Sequence, residues 1–179
     1  MVAENQIGAV VADEGFTTFF EGAYPRVVGQ LRLLTGDLAA AEDAAQEAFV
    51  RAASRWRQLS RYDQPEAWVR MTAFRLAVDG LRRARRQRRL VARLGSRRAP
   101  EAELDPQDRA VVEALGRLPL PMREVLVLHH CLDLPVDTVA TQTGVSVGTV
   151  KSRLSRGRER LAELLAPNPK QEEKRHARP

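Results

Sequence analysis

Lys151, Ser152, Ser155 and Arg156 combine hydrogen-bonding groups with positive charge at helical spacing. Lysine and arginine donate to base edges or phosphate oxygens, and serine makes shorter contacts of either sense. A second concentration of chemistry is the run RRARRQRR, in which Arg82, Arg83, Arg85, Arg86, Arg88 and Arg89 crowd together. So many like charges repel on a free helix and would be relieved by a polyphosphate; a solvated cationic helix end is the blander alternative. A third is acidic. Asp43, Gln46, Glu47 and Val50 fall at i, i+3, i+4 and i+7, on one helix face. Such a face either accepts hydrogen bonds from a basic partner or stays solvated.

Other groups carry less. His129-His130-Cys131 are adjacent and therefore diverge on a helix, with no CxxC or HxxxH beside them. A single thiol without an acid–base constellation is weak evidence for catalysis, and a redox role would need exposure and a lowered pKa. No Walker phosphate loop and no dinucleotide fingerprint occurs. The expectation is a chain that binds rather than turns over a small-molecule substrate, with no enzyme site, no cofactor and no metal.

The elements that must position these residues are helical throughout. In LPVDTVATQTGVSVGTVKSRLSRGRERLAELL, Pro135 suits a first helical turn, Gly144 a left-handed helix end, and Ser146 an N-cap. Val147, Val150, Leu154, Leu161 and Leu165 then face inward, with Lys151, Ser152, Ser155 and Arg156 largely opposite. This is the layout of a helix-turn-helix DNA reader, or of an ordinary amphipathic surface helix; the turn glycine and serine cap favour the reader.

Upstream, Phe16, Phe19, Phe20, Tyr24, Val27, Val28, Leu31 and Leu34 mark a helix from Glu14 to Leu34, which Gly22 and Pro25 bend or split. After a Gly36-Asp37 turn, a second helix is expected from Leu38 to Leu59, with Ala41, Ala45, Ala48, Phe49, Ala52 and Trp56 on one stripe. Residues 60–64 read as a loop, and a third helix starts near Pro65, with apolar positions that include Trp68, Val69, Met71, Ala73, Leu76, Ala77 and Leu81. Helix resumes near Gln107 with Ala110, Val111, Ala114, Leu115 and Leu118, breaks at Leu118-Pro119-Leu120-Pro121, and continues from Met122 to about Leu132. The reading is all-α: two small helical domains, 14–93 and 107–166, joined by a linker over 94–106, with a flexible lead-in over 1–13 and a disordered tail over 167–179.

Composition agrees. The 179 residues are 44% hydrophobic, enough for packed cores, and carry a net charge of +6 at a pI near 10.4, which favours an acidic partner. One cysteine excludes an internal disulfide and fits a reducing compartment. No apolar run reaches membrane-spanning length, and the opening residues lack the pattern of a signal peptide, so a cytoplasmic protein without membrane insertion is expected.

Three signatures in this order resemble a known family. AAAEDAAQEAFVRA (39–52), PEAWVRMTAFRLAVDGLRRARR (65–86) and GVSVGTVKSRLSRGRERL (144–161) are similar to bacterial RNA polymerase sigma factors of the extracytoplasmic-function (ECF) group of the sigma-70 family. The resemblance spans about residues 14–165, and LTGDLAAAEDAAQEA followed by PEAWVR looks most like actinobacterial members. It implies an alternative sigma factor with region two over 14–93 and region four over 107–166. The implied partners are core RNA polymerase, through the beta-prime clamp helices and the beta subunit, and promoter DNA, both duplex and melted. Family members are commonly held inactive by an anti-sigma protein, a further candidate partner. A stand-alone helix-turn-helix regulator is the alternative.

Residue by residue, the resemblance gives Asp43, Gln46, Glu47 and Val50 to core docking. Ser60, Arg61 and Tyr62, in a loop extending to Gln64, would capture an unstacked minus-ten base, with Arg75, Asp79, Arg82 and Arg83 contacting the same element. Lys151, Ser152, Ser155 and Arg156 would contact minus-thirty-five bases or nearby phosphate, with Arg153 and Arg158 on the backbone. Tyr62 is a stacking partner or a surface residue anchoring its loop. Four positions depart from the family pattern. Asp79 stands where many members have asparagine, and an ionised aspartate accepts but cannot donate. Thr72 replaces a common tryptophan, leaving Trp68 one turn earlier, read first as core packing. Thr138 and Thr143 replace a frequent glutamate and leucine, which predicts a less tightly packed first reader helix.

Overall fold

The computed structural model describes residues 14–90 and 105–166, with backbone only at 88–90 and 106. Among them every regular element is helical. The chain folds as two units, Met1–Glu103 and Leu104–Pro179. The expected lead-in (1–13), tail (167–179) and most of the linker (94–104) lie outside the described residues.

In the first unit, α1 (Glu14–Thr35), α2 (Leu38–Ala53) and α4 (Pro65–Leu90) pack pairwise, with a single turn, α3 (Trp56–Leu59), between the last two. Ala41, Ala44, Ala45, Ala48, Ala52 and Ala53 are all buried on α2, so α1 and α4 approach its backbone closely. Against them lie Val27, Leu31 and Leu34 of α1 and Val69, Ala73 and Ala77 of α4. Full burial of a valine or leucine side chain stabilises by roughly 1.5–3 kcal/mol. Gly36, at φ 70°, turns the chain from α1 to α2, and Asp37 then caps α2 by accepting from the Ala40 N–H at 2.9 Å.

Three expectations for this unit change. Gly22 and Pro25 do not split α1, which runs unbroken. Both lie on its exposed side, where the carbonyl left without a partner by Pro25 can bond to water. The second helix ends at Ala53, not Leu59: the Ser54 hydroxyl donates to the Arg51 carbonyl at 2.9 Å and Arg55 leaves helical geometry. That break lets Trp56 stack on Phe19 at 4.9 Å and meet the Phe16 ring edge-on at 5.3 Å. On α4, Phe74 and Val78 belong to the core, whereas Trp68 is only half-buried.

In the second unit, α5 (Pro106–Arg117), α6 (Leu120–Leu126) and α7 (Val136–Thr143) surround α8 (Val147–Leu165). Asp105 caps α5 by accepting from the Gln107 N–H at 3.0 Å. Val112 faces the core, in place of the expected Ala110 and Val111, which are exposed and half-buried. The helix expected from Met122 to Leu132 begins two residues earlier and widens into a π-helical turn over Val127–Cys131, closed by Leu132 N–H donating to the Val127 carbonyl at 3.1 Å. Pro135 is the N-cap of α7, one position ahead of its first turn.

α8 crosses α6 at Gly157, which is buried; a Cβ there would lie 3.0 Å from Leu126 Cδ1. Leu126 is itself buried and cannot swing into solvent. Gly157→Val is therefore expected to destabilise the second unit by about 1–3 kcal/mol through overpacking, read by urea denaturation of the full chain with hydrogen exchange monitored in α6 and α8.

Candidate polymerase and nucleic-acid interfaces

On α2, burial of the alanine side leaves Asp43, Gln46, Glu47 and Val50 exposed, with Val50 48% accessible. Glu47 is engaged within its own helix, accepting from Arg51 Nε at 2.7 Å. Asp43 and Glu47 also form one wall of an open groove of about 430 Å³, whose facing wall includes Leu76, Gly80 and Arg83 of α4. The face is thus an acidic, partly apolar ridge beside a groove that ends on a cation. It can receive a partner that is basic and carries some apolar surface.

Residues 60–64 lie outside the helices, as the sequence predicts, and 60–62 are held as turns against α3. The amides of Ser60, Arg61 and Tyr62 donate to the carbonyls of Trp56, Gln58 and Leu59 at 2.8, 3.2 and 3.0 Å. Their side chains are exposed, and the Tyr62 residue is 46% accessible, so its ring is available for stacking. The start of α4 is tied to α1 by Arg26, whose Nη2 lies 2.6 Å from Glu66 Oε2. Farther along α4, Arg75, Asp79, Arg82 and Arg83 are all exposed, at i, i+4, i+7 and i+8. Asp79 lies about one turn from each of the three arginines, a negative charge inside a cationic row. The side chains of Arg88 and Arg89 lie outside the described residues. Thr72 turns its hydroxyl into the helix, donating to the Trp68 carbonyl at 2.8 Å.

In the second unit the α7–turn–α8 geometry is that of a helix-turn-helix. Gly144 has φ 68°, and Ser146 caps α8 by accepting from the Thr149 N–H at 3.2 Å. Val150 and Leu154 are buried, while Lys151, Ser152, Ser155, Arg156 and Arg158 are exposed. Arg153 is half-buried on the flank of this face. Leu165 is 41% exposed rather than inward, because the helix ends there with little left to pack against. Thr143 fits its half-buried position by donating to the Val139 carbonyl at 2.7 Å. On the exposed face, Ser155 Oγ donates to Glu159 Oε1 at 2.8 Å. Three such cationic side chains beside short polar ones can meet phosphates and base edges together.

The model of sigma-70 region 2 matches residues 19–87, and that of sigma-70 region 4 matches residues 102–161. A Streptomyces avermitilis protein, RNA polymerase sigma-E factor, is 31% identical over 140 residues, which is 75% of this chain and 75% of that one. The chain belongs to the sigma-70 family of RNA polymerase sigma factors. A Xanthomonas campestris protein, probable RNA polymerase sigma factor RfaY, is 36% identical over 139 residues, 70% of this chain and 34% of that one. ECF RNA polymerase sigma factor SigE of Mycolicibacterium smegmatis is 31% identical over 144 residues, 74% and 54% of the two chains, in keeping with membership of the ECF group. The chain thus spans about a third and about half the length of these last two relatives. Among solved structures, the sigma factor RpoE of Bartonella quintana, in complex with the anti-sigma factor NepR, shares the fold with TM-score 0.58 at 24% identity, over 85% of this chain and 97% of that one.

Two features of this sigma-70 family member escape sequence reasoning. Arg123 is buried, and its Nη2 donates to the Gly116 and Leu118 carbonyls at 2.7 and 3.2 Å, closing the end of α5. Burial lowers its pKa, yet a guanidinium stays charged. An arginine two residues after a Leu-Pro-Leu-Pro break was the available signal. The π-turn is the other. It orders His129, whose Nδ1 donates to the Leu134 carbonyl at 2.8 Å, and leaves His130 exposed with its ring centroid 4.7 Å from that of His129. Burial and the nearby Asp133 push the Cys131 thiol up, the opposite of an activated thiolate. Among the described residues no cluster of three or more His, Cys, Asp or Glu side chains is placed to hold a metal, and no helix is long and apolar enough to cross a membrane.

Desolvation first, then His129 and Arg158, hold the His130 pKa below its ordinary value, with Asp133 opposing. The folded state therefore binds this proton less readily than the unfolded chain. Its stabilising effect is present above an ordinary imidazole pKa of about 6.5 and is lost as pH falls from there through the folded value. An NMR titration of the His130 ring is expected to give a midpoint below about 6.5, and His130→Gln to lessen the acid loss of thermal stability. A midpoint at or above the ordinary value contradicts this.

Proposed function

We propose that the chain is an alternative sigma factor that binds core RNA polymerase and directs promoter-specific initiation. The observation that carries the reading is one chain with two kinds of exposed face. The acidic Asp43–Gln46–Glu47–Val50 ridge faces Arg83 of α4 across a groove, and a separate helix-turn-helix presents Lys151, Ser152, Ser155 and Arg156. The ridge receives the beta-prime clamp helices, with basic partner groups pairing with its carboxylates and Val50 buried against apolar surface. Further contacts go to the beta subunit. A stand-alone regulator leaves this ridge without a role.

In this reading, α8 enters the major groove of the upstream duplex element. Lys151, Ser152, Ser155 and Arg156 contact bases or nearby phosphates, and Arg153 and Arg158 contact the backbone. The first unit acts on the downstream element. Extracting a base costs a few kcal/mol, offset by stacking on Tyr62 and by contacts from Ser60 and Arg61. Arg75, Arg82 and Arg83 neutralise phosphates of the opened strand. Asp79 accepts from an adenine or cytosine amino group and repels phosphate. The protein works by binding rather than turnover, in the cytoplasm where polymerase and promoter meet. An anti-sigma protein that covers these faces is a further candidate partner.

Run-off transcription with core polymerase tests the reading. The wild-type chain is expected to yield promoter-dependent transcripts, and Asp43→Arg with Glu47→Arg to abolish them while leaving the fold intact by circular dichroism. Transcription that survives these reversals removes the docking role from α2. Lys151→Ala or Arg156→Ala should each weaken recognition by about 1–3 kcal/mol and alter upstream sequence preference, whereas Arg153→Ala or Arg158→Ala should weaken all sequences alike. Unchanged preference in the first pair defeats the base-contact assignment.

A further inference from the structure

Ser155 sits in the middle of the exposed face of α8, one turn after Lys151 and one turn before Glu159. Its Oγ donates to Glu159 Oε1 at 2.8 Å. A serine hydroxyl has one proton and two lone pairs, and left to itself can meet either a donor or an acceptor on a base edge. Here the proton is committed. The acceptor is a carboxylate, which makes a charge-assisted bond, and the two residues share one rigid helix at i, i+4, so little order is lost in forming it. What Ser155 turns outward is acceptor only.

We propose that Glu159 is a positioning residue that makes Ser155 a one-sense reader of DNA. The lone pairs of Oγ accept from an exocyclic amino group in the major groove, adenine N6 or cytosine N4. They find no donor on guanine N7 and O6 or on thymine O4. At one position of the contacted strand the protein therefore selects adenine or cytosine over guanine or thymine. The proposal rests on the reading of α8 as the DNA-reading helix and deepens it. It also gives Glu159 a partner different from that of Glu163, the other exposed carboxylate of α8, which pairs with Arg160.

The test uses the full chain with core polymerase on templates randomised across the upstream element, with transcripts sequenced. Wild type is expected to prefer adenine or cytosine at one position. Glu159→Gln retains a carbonyl acceptor for the Ser155 proton but adds an N–H donor and loses the charge, and is expected to keep part of that preference. Glu159→Ala and Ser155→Ala should both flatten it, by about three- to tenfold for one hydrogen bond, leaving other positions unchanged. The inference is overturned if either alanine variant keeps the wild-type preference, if Glu159→Gln behaves as Glu159→Ala, or if Glu159→Ala alters all positions evenly, as a purely electrostatic effect would. Lys151→Ala and Arg156→Ala separate the two levels. If they shift preference while Glu159→Ala does not, only the present inference falls; if none shifts it, the reading of α8 falls as well.

Discussion

The first unit depends on how closely α1 and α4 can approach α2. Ala41, Ala44, Ala45, Ala48, Ala52 and Ala53 bring almost no side-chain bulk to the contact, so α2 is enclosed on one side by two helices whose larger residues interlock over it. Phe49 supplies the bulk at one end, where it meets Phe20 edge-on at 5.1 Å. A helix buried so fully on one side must show everything else on the other. The exposure of Asp43, Gln46, Glu47 and Val50 follows from the alanines, and a larger residue at any of these buried positions would push α1 or α4 away and reshape the groove that Asp43 and Glu47 line.

The second unit solves a different problem, because its elements are short and its connections carry proline. Arg123 reaches back to bind the free carbonyls at the end of α5, so one buried cation fixes the angle between α5 and α6. The π-turn then continues α6, keeping Val127 and Leu128 buried while His130 faces out. Gly157 lets α8 lie directly on Leu126. α8 is thus held by its crossing with α6 at Gly157 as well as by the turn that joins it to α7.

The sequence was most legible where a residue type has one conformational use. Pro65 starts α4, Gly144 adopts the left-handed conformation and Ser146 caps α8, each where its chemistry requires. It was least legible where alanines carry the pattern. The stripe from Ala41 to Trp56 keeps helical period across a break, because small residues do not report where packing stops and Ser54 ends the helix through a hydroxyl bond of its own. Nothing in VLHHC distinguishes a π-turn from an α-turn. For the candidate interfaces, exposure was readable from periodicity for α2, α4 and α8, where Arg153, three residues after Val150 and four before Gly157, lies on the flank of the buried side. The groove wall shared by α2 and α4 was not readable, and for Glu47 with Arg51 or Ser155 with Glu159 the i, i+4 spacing permits a pair without saying that it forms. Those depend on rotamers and on the distance between helices, which a one-dimensional pattern does not encode.

The ion pairs Arg26–Glu66, Glu47–Arg51 and Arg160–Glu163 lie at the surface, while the buried side chains among the described residues are mostly aliphatic and aromatic, with Arg32, Arg123 and Glu124 as charged exceptions. Ionic strength therefore acts on this molecule selectively. Added salt screens surface pairs that contribute little to folding and leaves apolar packing largely unaffected. Any polyanion lying along Arg75, Arg82 and Arg83, by contrast, releases condensed counterions as it binds, and its attachment weakens steeply with salt. The chain can thus lose its grip on a nucleic acid over a range of salt in which its shape does not change.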